Sequence, residues 1–202
     1  LLNGQPLLYW TIKAGLGSRY IDSLVLSTDD INIARIGKET GAEIPFMRPS
    51  YLAKDSTPGI DPILHCLEKC AGFDIVIVLQ PTSPFRNSKD IDASLELLVE
   101  RKADSCFSIV ESKAHPNWMK KITKQGFLES YEKEEIITRR QELPPIYQLN
   151  GAIYTAMTKK LLIEKSFHLP NSVGYIMPKQ RSIDIDSELD FTICEALFHK
   201  IK

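Results

Sequence analysis

The hydrophobic and polar positions of residues 1–110 alternate between two periodicities. Apolar residues at helical spacing, bounded by proline, glycine or polar residues, predict helices over residues 6–16, 29–39, 61–70 and 88–101. Short β-branched runs predict strands over residues 24–28, 43–47, 74–80 and 104–110. The run at 74–80 is nearly continuous in valine and isoleucine, which is typical of a central parallel strand covered on both faces. Strands and helices alternating at short spacing predict an open α/β sheet.

The pattern changes after Val110. Residues 112–145 are polar, rich in charge and rich in turns, and this composition predicts an inserted arm. Beyond the arm, strands are predicted over 151–155 and 173–177, and helices over 159–165 and 187–200. We therefore predict one domain over residues 1–202, whose sheet is completed after the arm.

Composition excludes several classes of partner. Lysine and arginine total 25 against 26 aspartate and glutamate, so no broad basic field favours nucleic acid. The four cysteines contain no CxxC pair and are interpreted as reduced thiols of a cytoplasmic protein. Cys66 and Cys70 are interpreted as core thiols on a helix face rather than as metal ligands. No apolar run approaches ~18 residues, so we expect no membrane partner.

The most informative segment is residues 182–190, Ser-Ile-Asp-Ile-Asp-Ser-Glu-Leu-Asp. In an extended chain, Asp184 and Asp186 point to one face while the intervening isoleucines point into a core. Paired carboxylates are ligands that Mg²⁺ takes together with substrate phosphates. The alternative is a solvated strand end before a helix. Ser187 with Asp190 predicts a capping box for that helix.

Polar residues also follow two predicted strands at their carboxyl ends, where open α/β sheets bind ligands. Residues 80–86, Gln-Pro-Thr-Ser-Pro-Phe-Arg, offer amide, hydroxyl and guanidinium groups to a polar ligand. Thr28-Asp29-Asp30 leaves the strand predicted over 24–28, and Thr28 or Asp29 is expected to cap the next helix.

Four motifs in order resemble those of the acylneuraminate cytidylyltransferases, the CMP-sialic acid synthetases. They are Arg48-Pro49 and the segments 79–86, 150–154 and 182–190. The resemblance spans almost the whole chain. It implies a Rossmann-like nucleotidyltransferase fold, with a mostly parallel sheet, helices on both faces and a dimerisation arm at 112–145. The implied reaction transfers CMP from CTP to a nine-carbon 2-keto-3-deoxy sugar acid, releasing pyrophosphate, with Mg²⁺ and in a homodimer.

The resemblance also implies roles for individual residues. Asp184 and Asp186 would be catalytic and would bind Mg²⁺, and Arg48 would bind the nucleotide. The residues implied in binding the sugar acid are Gln80, Arg140, Asn150, Tyr154 and Phe167, the last from the partner subunit. Two structural alternatives stay open: a surface salt bridge for Arg48 and a core role for Tyr154.

Three departures from the family pattern matter. The strand and the loop rich in Gly, Ser, Arg and Lys, which cradle the CTP phosphates, are expected before Leu1 and are missing from the sequence. Trp118 and Gln148 stand where some sialic acid enzymes have lysine and arginine. With His168 beside Phe167, these changes suggest legionaminic acid as an alternative substrate. A non-catalytic nucleotide-binding dimer module and a nucleotidyltransferase for another sugar class are further alternatives.

Overall fold

The structure, a computed structural model, describes residues 1–131, 139 and 143–201. The strands in chain order are β1 (Ile75–Leu79), β2 (Ser105–Glu111), β3 (Lys120–Ile122), β4 (Leu128–Ser130), β5 (Tyr147–Met157) and β6 (Ser172–Ile176). The helices are α1 (Leu7–Leu16), α2 (Ile31–Thr40), α3 (Asp61–Lys69), α4 (Ser88–Glu100), α5 (Thr158–Glu164) and α6 (Glu188–Ile201). Among the described residues, none of these helices combines the length and apolarity needed to cross a membrane.

The central sheet has the strand order β1-β5-β2-β6 and is mixed. β5 runs antiparallel to both β1 and β2, whereas β2 and β6 are parallel. The prediction of a mostly parallel sheet is therefore wrong, because two of the three strand pairs are antiparallel, although β1, β2 and β6 run in the same direction. The two ends of the arm explain the difference: Glu111 of β2 pairs with Tyr147 of β5, so the chain re-enters the sheet beside the strand it left and in the opposite direction.

Helices cover both faces of the sheet, as predicted. On one face, α1 and α4 contribute Ala14, Ile91 and Leu95 to a core that includes Ile153 of β5. On the other face, Leu161 of α5 packs with buried aromatic and aliphatic side chains, and α3 packs against the same cluster. The β-branched residues of β1 alternate between the two cores, which explains their continuous apolar run.

The segments 24–28 and 43–47 are not strands, contrary to prediction. They meet in one parallel bridge between Val25 and Glu43. Around it, the Leu26 amide donates to the Glu43 carbonyl at 2.9 Å and the Glu43 amide donates to the Leu24 carbonyl at 2.8 Å. Pro45 has no amide hydrogen to extend the ladder.

The outer edge of β1 faces a groove. Within the described part of the chain β1 pairs with β5 alone, and all five of its residues are only half-buried. Two cavities of about 700 and 1050 Å³ lie between β1 and residues 24–28, and both are lined by Leu24, Val25 and Ile77. The prediction of a central strand at 74–80 is therefore wrong for the described residues, where β1 is an edge strand.

Candidate active site

Gly151 brings three elements of the predicted site together. Its φ is +74°, and a Cβ added there would lie 2.7 Å from Asp184 Oδ2 and 3.6 Å from Gln80 Oε1. Ser83 Oγ donates to Asp184 Oδ1 at 3.4 Å. The end of β1, the bend in β5 and the segment carrying Asp184 thus converge. A side chain at position 151 would fill the space between them.

The segment carrying Asp184 and Asp186 has the predicted alternation but is not a strand. Ile183 and Ile185 pack against a core of Leu2, Phe85, Cys194 and Phe198. The Ile185 amide donates to the Thr82 carbonyl at 2.9 Å, which ties this segment to the loop after β1. Asp184 is half-buried and Asp186 is exposed, so the two residues lie at the boundary between the protein interior and solvent.

The predicted capping box at the start of α6 is confirmed. Asp190 Oδ2 accepts hydrogen bonds from the Ser187 hydroxyl at 2.6 Å and the Ser187 amide at 2.9 Å, and the Asp190 amide donates back to Ser187 Oγ. The Ser187 hydrogen bond is the main cause of a lowered pKa at Asp190. Asp190 thus has a structural role.

Four predicted site residues line one cavity, the larger of the two beside β1. These are Arg48, Gln80, Tyr154 and Phe167. Burial raises the pKa of Tyr154, and the negative charge of Asp184 raises it further, so the phenol and the carboxylate share one electrostatic environment. Gln80, which lines this cavity and approaches Gly151 together with Asp184, connects the cavity to the carboxylate.

Arg48, the residue predicted to bind the nucleotide, lines this cavity. Its Nη2 atom forms an ion pair with Asp29 Oδ1 at 3.3 Å, as the structural alternative proposed. Its Nε atom is buried without a hydrogen-bond partner among the described residues, which leaves one donor for a ligand. The cap of α2 is Asp30, which accepts from two backbone amides, and not Thr28 or Asp29 as predicted.

Two predicted substrate-binding residues are buried within the chain. The Asn150 side chain, in a residue 5% exposed, accepts from Ser108 Oγ at 2.6 Å and donates to Ser182 Oγ at 3.0 Å. Phe167 is 8% exposed and packs with Phe107 in the core, while its ring edge reaches the cavity. Arg140, the predicted partner of the sugar carboxylate, lies outside the described residues.

Arg86 has a role that the sequence did not predict. Its guanidinium, expected to face a ligand, is fully buried beneath the loop after β1. It donates to the carbonyls of Gln80 at 3.1 Å and Ala152 at 2.7 Å, and to Thr11 Oγ1 at 2.7 Å. Burial lowers its pKa to about 10, an effect that nearby Asp90 opposes. Arg86 thus holds the end of β1 against β5.

Sequence reasoning also missed Gly151 as a site residue. The signal was present, because an isolated glycine within a predicted strand indicates a bulge or a close approach of another group. Here the approaching group is the Asp184 carboxylate.

The donor groups suit a hard divalent cation whose ligands come partly from the protein and partly from a substrate. The described residues contain no cluster of three or more His, Cys, Asp or Glu side chains of metal-binding geometry. Asp184 supplies a carboxylate beside Gly151, which keeps the space before Asp184 Oδ2 free of a side chain, and the exposed Asp186 follows two residues later. Mg²⁺ typically binds through one or two carboxylates plus phosphate oxygens, so this donor set is suited to it.

Comparison with known proteins decides the family. The family model for cytidylyltransferases matches residues 1–191. The chain belongs to the cytidylyltransferase family. This match confirms the prediction of a nucleotidyltransferase, and together with relatives named N-acylneuraminate cytidylyltransferase and CMP-N,N'-diacetyllegionaminic acid synthase it confirms the resemblance to the CMP-sialic acid synthetases.

Curated relatives of this cytidylyltransferase cover nearly all of the chain. It is 35% identical to a CMP-N,N'-diacetyllegionaminic acid synthase of Legionella pneumophila, over 98% of this chain and 87% of that protein. It is 29% identical to an N-acylneuraminate cytidylyltransferase of Escherichia coli, over 99% of this chain but 48% of that protein. The chain therefore spans most of the first relative and about half of the second.

Solved structures show the same fold at low identity. A CMP:2-keto-3-deoxy-manno-octonic acid synthetase complexed with CTP matches 99% of this chain and 90% of its own, with a TM-score of 0.69. A 4-diphosphocytidyl-2C-methyl-D-erythritol synthase from Anaerococcus prevotii matches 98% and 88%, with a TM-score of 0.72. Both are 15% identical to this cytidylyltransferase. At this identity they establish a nucleotidyltransferase-like α/β fold.

Proposed function

We propose that this chain transfers CMP from CTP to a nonulosonic, sialic-type sugar acid and releases pyrophosphate. One observation carries the proposal: in a member of the cytidylyltransferase family, Asp184 meets Gln80 at Gly151, beside a cavity lined by Arg48 and Tyr154. Carboxylates for a cation thus lie next to polar and aromatic groups that suit a nucleotide and a sugar acid.

The proposed reaction joins the anomeric oxygen of the sugar acid to the α-phosphorus of CTP while the bond to pyrophosphate breaks. The protein's task is positioning, because phosphoryl chemistry asks for little covalent help. Gln80 and Tyr154 would orient the sugar acid, and the free Arg48 Nε would donate to the nucleotide. Arg140 would bind the sugar carboxylate. Asp184 and Asp186 would hold Mg²⁺, which when bound offsets the negative charge of the phosphates.

The test is a pyrophosphate-release assay with CTP, Mg²⁺ and a panel of sugar acids. We expect release only when both CTP and a nonulosonic acid are present, and none with ATP, GTP or UTP. Release from CTP without a sugar acid would indicate hydrolysis rather than transfer. No release with N-acetylneuraminic, legionaminic or pseudaminic acid, from a chain extended to include the expected phosphate-binding loop, would refute the proposal.

Legionaminic acid is the second candidate substrate. The Legionella relative named for it is 35% identical over 98% of this chain, and Trp118, Gln148 and His168 depart from the sialic acid pattern. Comparing kcat/KM for N-acetylneuraminic and legionaminic acids decides between them. A legionaminic preference of tenfold or more would establish this alternative.

A non-catalytic nucleotide-binding module is the alternative of another class. Calorimetry distinguishes this module from an enzyme. A non-catalytic module would bind CTP but would show no turnover with any of the sugar acids. The joint presence of Asp184, Gln80 and Tyr154 at one site favours the enzyme.

We also propose that the arm forms a homodimer interface. Its described residues include the β3/β4 hairpin, in which Ile122, Phe127 and Leu128 are 75%, 73% and 69% exposed. Such a row of large apolar side chains suits a second copy of the chain. Sedimentation should give a dimer for the unchanged chain and a monomer for Phe127→Asp. A monomer in both cases would refute this step.

We propose further that the groove beside β1 accepts an extended strand leading into the phosphate-binding loop that the family resemblance implies. An unpaired edge and apolar walls on both sides support this proposal. A peptide of five alternating valines and isoleucines, flanked by lysines for solubility, should raise the melting temperature of the chain. A version with proline at alternate positions is the control, since it cannot donate ladder hydrogen bonds. Equal effects of both peptides would contradict the proposal.

These steps would take place in the cytoplasm, where CTP is made. Four cysteines without a disulfide are consistent with that location.

A further inference from the structure

The carboxylate of Asp90 joins three segments at the base of the site. Asp90 lies in the first turn of α4 and is completely buried. Its oxygens accept from Arg181 Nε at 2.9 Å and Arg181 Nη2 at 2.7 Å, from the Tyr175 hydroxyl at 3.0 Å and from the Asn87 amide at 3.1 Å. Four hydrogen bonds on one buried carboxylate make a rigid junction.

Two of these segments lead directly to the site. Asn87 ends the loop that begins at Gln80 and carries Ser83, and its side chain completes a capping box with Asp90. Arg181 ends a short helix, Lys179–Arg181, three residues before Asp184. Asp90 therefore fixes the end of the Gln80 loop relative to the start of the Asp184 segment.

The geometry of the ion pair suits positioning. Arg181 binds Asp90 through two nitrogens, which fixes the plane of the guanidinium as well as its distance. Beyond Arg181, the segment is also held by Asn150 at Ser182, by Ser83 at Asp184 and by Thr82 at Ile185. Arg181 makes the first of these attachments and the only one among them to a charged group outside the segment, so its loss loosens the segment on the side that precedes Asp184.

We propose that Asp90 and Arg181 are positioning residues that hold the Asp184 carboxylate at its place opposite Gln80. They act through the backbone of residues 182–186 and do not touch substrate. The expected effect of Asp90 and Arg181 on turnover rests on the proposed function. Their expected effect on the position of residues 182–186 does not depend on any reaction.

Asp92 provides a matched control for Asp90. It lies two residues further along α4, is 7% exposed and also accepts from an arginine, Arg19, at 2.9 Å. It also accepts hydrogen bonds from the Ser18 hydroxyl at 2.6 Å and from the Arg19 backbone amide at 3.1 Å, on the turn after α1. Asp92→Asn therefore removes a buried charge from the same helix without touching either loop of the site.

The experiment compares Asp90→Asn and Asp92→Asn by amide hydrogen exchange of residues 179–187, without substrate. We expect faster exchange in this segment for Asp90→Asn alone. In the pyrophosphate assay, Asp90→Asn should raise the half-activating Mg²⁺ concentration about 10- to 100-fold, the effect typical of groups that orient a metal ligand. Asp92→Asn should change that concentration by less than about threefold.

Two further variants keep the inference falsifiable. Arg181→Lys retains the positive charge but cannot bind Asp90 through two nitrogens. This variant is measured in place of Asp90→Asn if Asp90→Asn does not fold. The double variant Asp90→Asn/Arg181→Gln should be no worse than Asp90→Asn, because one interaction is lost in both. Unchanged exchange of 179–187 in Asp90→Asn and Arg181→Lys would overturn the inference whatever the activity. Absence of activity in a chain that carries the expected phosphate-binding loop and no substitution would instead refute the proposed function.

Discussion

Gly151→Ala tests whether the close approach of β5 to Asp184 matters for turnover. An alanine at φ +74° carries backbone strain of about 1–2 kcal/mol, because its Cβ crowds the adjacent carbonyl. The same Cβ would lie 2.7 Å from Asp184 Oδ2, so the carboxylate must retreat by about 0.7 Å to reach ordinary contact at 3.4 Å. The side chain is flexible, so this retreat adds little to the loss of stability.

The expected loss of turnover is larger than the loss of stability suggests. A misplacement of about 1 Å at a reacting centre costs up to about 10²-fold in rate, so we expect kcat to fall about 10- to 100-fold. Gly4→Ala is the matched control, because Gly4 has φ +75° with nothing within 4 Å of the added Cβ. Both variants should lose similar stability, and only Gly151→Ala should lose turnover.

The assay pairs urea unfolding with steady-state pyrophosphate release at saturating CTP and sugar acid. Urea midpoints report the strain shared by the two variants, and kcat reports the displacement of Asp184. The reasoning would be refuted if Gly151→Ala kept kcat within twofold of the unchanged chain while losing as much stability as Gly4→Ala. A much greater loss of stability in Gly151→Ala would show that the carboxylate cannot retreat as described.

Three other predictions concern single ionisable groups. Asp186→Asn should lower kcat by at least ~10²-fold with the melting temperature unchanged, and an unchanged rate at saturating Mg²⁺ would remove Asp186 from the mechanism. Burial favours a higher pKa at Asp92, but hydrogen bonds from Ser18 and Arg19 outweigh it and hold the pKa below its ordinary 3.8. The stabilising effect of the Asp92 carboxylate is therefore complete above pH 3.8 and is lost as the pH falls through its lower pKa in the folded state. Asp92→Asn should therefore flatten the decline of the melting temperature below pH 4. Parallel declines in the variant and the unchanged chain would contradict this prediction. Burial, and then the neighbouring Cys70, raises the pKa of Cys66 to about 11. Alkylation of Cys66 should therefore be slow at pH 8 and should accelerate as the pH rises towards 11. A rate at pH 8 equal to that of a free thiol would contradict this prediction.

Helices were predictable from the sequence because their signals are local. The predicted helix 88–101 and the observed Ser88–Glu100 differ by one residue, since Asn87 and Asp90 form their capping box within four residues of chain. The direction of β5 was not predictable in this way. It depends on where the arm returns, and the pairing of Glu111 with Tyr147 involves residues 36 positions apart.

The candidate site was predictable only in part, for the same reason. The Asp184 segment and Gln80 could be identified because charged or amide groups follow apolar runs in a recognisable order. Nothing in the sequence separates the buried Arg86 from an exposed arginine after a strand, because its burial depends on packing against β5 and α1. Asn150 is similar: its side chain holds Ser182, which lies 32 residues further along the chain.

Arg86 and Asp90 show how this site is held in place. Both charges are fully buried, four residues apart around the start of α4, and Asp90 favours the charged form of Arg86. Arg86 binds the carbonyls of Gln80 and of Ala152, the residue after Gly151, whereas Asp90 binds Arg181, three residues before Asp184. Burying such charges is costly unless every partner is well placed, so small displacements of either loop are resisted. The distance between Gln80 and Asp184 is therefore set by two ions beneath the site rather than by the groups that face the cavity.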